Sequence, residues 1–142
     1  MRHRTTFVTY NAADALAGLG AAGTFAYTIE NVTGFLESVT YVKDATAPMG
    51  NSSVIGVFRV EDPANLGAFP VYYNAACSAS FVAHPLHVAA KSSDATALTT
   101  YVRQYFSNET VLVNISDATD HAAGGTVATI VLHFSQPDPV RR

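Results

Sequence analysis

Histidine, cysteine and carboxylate positions are where this chain could do chemistry, and His84-Pro-Leu-His87 stands out first, with Cys77 seven residues upstream. A metal centre on that pair needs a third and a fourth ligand, and His121 or His133 supplies one only if the fold brings it close. Blue-copper spacing is absent too, because both methionines lie upstream of the histidines. No metal is expected, and His84 and His87 read as ordinary packed or surface side chains. Nucleophilic catalysis finds no Gly-x-Ser-x-Gly elbow. The paired carboxylates Glu61 and Asp62 precede a proline, where a solvated turn accounts for them without general acid-base work. Gly18-Leu-Gly20-Ala-Ala-Gly23 matches a loose glycine pattern, yet a strand follows it and no helix start that would face a phosphate. The expectation is a chain that is not an enzyme, takes no cofactor and has no small-molecule substrate.

The elements that carry these residues are strands. Residues 109–116 place Val111, Val113 and Ile115 on one face, and residues 125–134 place Ala128, Ile130, Leu132 and Phe134 on one face, the period of a half-buried strand. The Asp, Thr and Gly residues of 117–124 predict a hairpin between them. Residues 5–10 form a first strand with Phe7 alternating against Thr6 and Val8. After a Gly- and Ala-rich loop, in which Asn11 or Asp14 could cap one turn, residues 24–30 alternate Phe25, Tyr27 and Ile29 against Ala26 and Thr28. Asn31 to Gly34 then predicts a turn into a strand at 35–43. A further pair lies at 54–61 and 69–74, where Pro70 predicts an edge or a bulge because proline cannot donate to the ladder. Residues 75–90 read as short strands broken at Pro85. Leu98, Tyr101, Val102, Tyr105 and Phe106 fall on one helical stripe, so a short helix is expected near 94–106, against the strand preference of Thr99 and Thr100. About eight strands with turn signals between them predict an all-β fold, a single antiparallel β-sandwich or jelly-roll barrel spanning residues 1–142 as one domain.

Composition says what surrounds such a body. Only 13% of the 142 residues are charged, against about 25% in an ordinary soluble domain, which leaves a free monomer poorly solvated. No apolar run reaches the ~20 residues of a membrane span, and the first residues lack the apolar stretch of a signal peptide. One cysteine excludes an internal disulfide and suits a small buried apolar side chain better than an intermolecular bridge. The formal charge of −3 is uneven. Arg2 and Arg4 stand near one end, Arg141 and Arg142 at the other, and residues 5–140 hold four basic against eleven acidic side chains. Short basic ends on an acidic body make these four arginines candidate subunit contacts, with weak nucleic-acid contact through the termini as a second use.

In architecture and composition the whole chain resembles the small jelly-roll coat or decoration proteins of icosahedral viruses and bacteriophages: short, many-stranded, charge-poor, biased to Ala, Ser, Thr and Val, without a catalytic motif. The resemblance rests on no diagnostic motif and carries over no residue roles. It implies a structural subunit of a symmetric homo-oligomer, located in the virion, whose partners are copies of itself and other capsid proteins. The rival reading is a carbohydrate-binding β-sandwich module, in which tyrosines such as Tyr72, Tyr73, Tyr101 and Tyr105 would stack on sugar rings. A chain without tryptophan is an indifferent candidate for that.

Overall fold

The run from Phe25 to Lys43 is rich in β-branched and aromatic residues and forms one 19-residue strand, β2. At roughly 3.3 Å per residue it is far longer than one sheet of a small domain needs. The length is used by bending. The computed structural model of the protein describes residues 2–15, 23–45, 49–50, 52–60, 69–75, 77–90, 97–118 and 125–137. Among the described residues the other strands are β1 (Arg2–Asn11), β3 (Val54–Val60), β4 (Phe69–Asn74), β5 (Phe81–Ala83), β6 (His87–Ala90), β7 (Ala97–Val102), β8 (Tyr105–Ser116) and β9 (Thr126–Gln136), with one 3-10 turn at Ala12–Asp14.

All pairings are antiparallel, and the larger sheet runs β1-β9-β2-β8-β3-β4 with β5 added on β2. The first part of β2, from Phe25 to Phe35, pairs with β8. Its second part, from Phe35 to Lys43, pairs with β9 on one side, and Val39–Tyr41 pair with β5. The sheet therefore curls into two facing layers, β4-β3-β8-β2 and β1-β9-β2-β5, with β2 passing through both. The corner is at Asn31 to Gly34, where the register with β8 shifts twice and both Asn31 and Gly34 adopt positive φ. Gly34 is needed there, because its φ of 128° is open to glycine alone and a Cβ would clash with the Ser135 carbonyl oxygen.

The core lies between the layers. Phe25, Leu36, Tyr41, Ile55, Phe106, Ile115, Ile130, Leu132 and Phe134 are buried there, and Tyr10 meets Phe25, and Phe106 meets Phe134, edge to face. The all-β antiparallel class expected from the alternation is what the structure shows, and the predicted apolar faces of β8 and β9 are the buried ones. Pro70 lies on an edge strand and beside a register offset in the β3–β4 ladder. Short strands do flank Pro85.

Three expectations are corrected. The hairpin joining residues 109–116 to 125–134 does not exist, because β2 lies between β8 and β9. Both apolar strands are interior strands with a partner on each side, which satisfies both rows of backbone groups. The turn at Asn31–Gly34 is instead the bend inside β2, so two expected strands are one. The helix near 94–106 is also absent from the described part of that range: Ala97–Val102 is β7, paired with β6 in a separate ribbon, and Tyr105 opens β8. The supposed stripe is split, with Phe106 in the core and Tyr101, Val102 and Tyr105 exposed. The β-branched residues of the segment suit a pleated ladder. Among the described residues no helix is long and apolar enough to cross a membrane.

Candidate functional site

Strand β1 is where the features singled out by charge meet an open part of the fold. Its register against β9 places Arg2, Arg4, Thr6, Val8 and Tyr10 opposite Gln136, Phe134, Leu132, Ile130 and Ala128. That is the core-facing side. Val8 and Tyr10 are buried on it, whereas Arg2 and Arg4 reach the mouth of the gap between the layers. There Arg2, His3, Arg4, Asn31, Thr33, Phe134 and Gln136 line an open recess of about 360 Å³.

The two arginines do different work. Arg4 Nη1 donates to the carbonyl oxygens of Asn31 at 3.0 Å and Glu30 at 3.4 Å, the two residues that the β2–β8 register skips between Ile29 and Val32. Arg4 thus replaces ladder partners lost at the corner. On the other strand at that corner, the Asn108 N–H donates to Thr33 Oγ1 at 2.9 Å. Arg2 has no ion pair or hydrogen bond among the described residues. The remaining described cations are engaged: Lys43 Nζ donates to the Ser78 carbonyl at 3.0 Å. Arg59 lies 2.9 Å from Glu109 and over the Phe106 ring, and Arg103 is paired with Glu37 and lies over the Phe35 ring. Arg141 and Arg142 lie outside the described residues.

On the outward side of β1, His3 Nδ1 and His133 Nε2 are 3.1 Å apart with stacked rings, and Thr5 Oγ1 is 3.0 Å from His133 Nδ1. One imidazole nitrogen of the pair carries the shared proton and the other accepts it. Beyond the histidines the register aligns Phe7 with Val131, Val131 with Thr40, and Thr40 with Val82 in one row across β1, β9, β2 and β5. Phe7 is 69% and Val82 61% exposed. The adjacent row runs Thr9, Thr129, Val42, and Val42 is exposed as well. Neither row contains a charged residue. Phe7 was legible as a strand residue; its exposure was not, because only the burial of Val8 and Tyr10 decides which parity faces out.

The chemistry-bearing residues do not converge. His84 Nδ1 is 3.0 Å from the Glu37 carbonyl oxygen, His87 enters β6 opposite Val102, and His133 belongs to the His3 pair. Cys77 is buried beside Asn74, its thiol pushed above the usual cysteine range by burial. His121, Glu61, Asp62, Gly18 and Gly20 lie outside the described residues. Among the described residues no three His, Cys, Asp or Glu side chains come together as a metal site would require. Glu37 resembles a catalytic carboxylate most, but its Oε1 accepts from both Arg103 Nη1 and Ser135 Oγ, which ties it into the wall of the sandwich. The exposed tyrosines Tyr27, Tyr73, Tyr101 and Tyr105 are distributed over β2, β4, β7 and β8. Tyr105 is packed edge to face on Phe35, and Tyr72 lies against Phe81.

What β1 brings together is a long strand at the margin of a sheet, two outer rows without a charged residue beside it, and an arginine at its end without an ion pair or hydrogen bond among the described residues. No protein-family model matches this chain, and no curated protein or solved structure matches it either.

Proposed function

We propose that the protein is a structural subunit of a symmetric homo-oligomeric assembly, a viral (phage) coat or decoration protein that works in the virion through contacts with copies of itself and with other capsid proteins. The observation that carries this reading is the charge-free outer face running from Phe7 to Val82. Exposed apolar rows on a sheet invite burial against another subunit, and a repeated subunit can place such a face against neighbours by symmetry. The low charged fraction fits a body covered on several sides. Arg2 supports the same reading, since a cation without a partner among the described residues is available to an acidic neighbour, or weakly to nucleic acid, and sets orientation more than affinity.

Sedimentation velocity on the purified protein over a wide concentration range tests it. A discrete oligomer or a particle is the expected result. A monomer throughout, together with retention on a glycan array that is lost when Tyr73 and Tyr101 are changed to Ala, would replace this reading with that of a carbohydrate-binding module.

A further inference from the structure

The free margins of the two layers are not equivalent. Edge strand β4 contains Pro70 and a register offset between Val57 and Phe58. Edge strand β5 is three residues long. At the corner of β2 the ladder with β8 breaks between Ile29 and Gly34, and Arg4 occupies the Glu30 and Asn31 carbonyls there. Short length, proline, bulges and capping are the devices by which proteins blunt an edge. Strand β1 carries charges only at Arg2 and Arg4, its ladder shifts register only at its end between Tyr10 and Asn11, and from Thr5 to Tyr10 it has none of these devices. It is ten residues long, holds regular register with β9 from Arg2 to Tyr10, contains neither Pro nor Lys, and meets no strand on its other side among the described residues. An unprotected edge of that length presents a full row of backbone donors and acceptors.

We propose that this edge pairs antiparallel with β1 of a second copy about a two-fold axis at Phe7, joining two copies into one continuous sheet. The inference rests on the homo-oligomer reading and specifies its contact. Opposed residues of an antiparallel pair share a face, so two-fold pairing of β1 with itself matches odd residues with odd and even with even. With the axis at Phe7, Phe7 opposes Phe7 of the second copy, Thr5 opposes Thr9, and His3 opposes Asn11. Aromatic and Thr–Thr cross-strand pairs of this kind are stabilising. The ends are complementary in charge. Arg2 comes alongside Ala12 of the second copy, at the start of the exposed turn that holds Asp14, whose Oδ2 also accepts from the Asn11 N–H at 2.9 Å. The row Val82, Thr40, Val131, Phe7 continues across the axis into its own copy, so a single charge-free band spans both subunits.

Two substitutions test this in the full chain. Phe7→Cys should give a disulfide-linked dimer under mild oxidation, because opposed cross-strand residues lie at a separation a disulfide spans. Val82→Cys, equally exposed on the same face but far from the edge, should stay unlinked. Cys77 is buried and contributes no background. Phe7→Lys places like charges opposite one another at the axis and should weaken self-association about tenfold or more while the circular dichroism spectrum is unchanged. If the wild-type protein associates but Phe7→Cys is not linked and Phe7→Lys associates as well as wild type, the β1 pairing is wrong while the subunit reading stands. A wild-type protein that is monomeric at every concentration overturns both.

Discussion

The hydroxyl of Tyr10 donates to the carbonyl oxygen of Val113 at 2.6 Å, joining β1 to β8, two strands that never pair. It crosses the gap between the layers with both groups buried. Tyr41, as deeply buried, has no hydrogen-bond partner for its hydroxyl among the described residues. The two tyrosines should respond oppositely to the loss of one oxygen. Tyr10→Phe removes a buried hydrogen bond between the layers, although the Val113 carbonyl stays within the interior ladders of β8, and should destabilise by ~0.5–1.5 kcal/mol, whereas Tyr41→Phe removes an unsatisfied group and should be neutral or stabilising. Urea unfolding of the two variants checks this, and equal destabilisation would count against the assignment.

Alkaline pH probes the same pair. Burial pushes the Tyr41 phenol up to about 12 and the Tyr10 phenol higher still, with the Tyr27 and Asp14 charges adding to burial at Tyr10. The unfolded chain loses these protons near the ordinary value of 10.0, so above that pH it binds fewer protons than the fold and stability falls as pH rises. The contribution of Tyr41 is fully present below pH 10 and is lost progressively toward about pH 12. That of Tyr10 goes on falling beyond. Urea midpoints should decline across this window, and the decline should be shallower in Tyr41→Phe.

Gly34 is the residue on which the corner of β2 depends. Gly34→Ala meets both the positive φ and the Ser135 carbonyl oxygen, and two strained features of this kind should cost about 2–4 kcal/mol. Thermal unfolding measures it. A variant within experimental error of wild type would mean that the corner relaxes without cost.

Arg2 and Arg4 separate assembly from folding. Arg4→Ala uncaps the Glu30 and Asn31 carbonyls and, because these groups are exposed, should lower subunit stability by only about 0.5–1 kcal/mol. Arg2→Ala should leave unfolding unchanged and make self-association weaker and less dependent on salt. Unfolding and sedimentation run on both variants distinguish the roles, and the scheme fails if the effects are interchanged.

Much of this architecture is legible in the chain because strand periodicity is local. Val111, Val113 and Ile115, and Ala128, Ile130, Leu132 and Phe134, announce their buried faces through spacing alone, and Pro70 announces an edge through its missing N–H. Asn31 and Gly34 likewise declare positive φ. What that conformation is used for is not a local matter: the same residues that would close a turn instead bend one strand through two layers. Pairing is equally non-local. Nothing within residues 105–136 says that β2 will separate β8 from β9, because alternation specifies a face and leaves the partner to whichever distant strand completes the ladder. The candidate site divides in the same way. Charge alone picks out Arg2 and Arg4. Only the tertiary structure makes one a cap on skipped carbonyls and leaves the other without a partner among the described residues, and only the burial of Val8 and Tyr10 between the layers turns Phe7 outward, since a strand has two faces and the core chooses which one it takes.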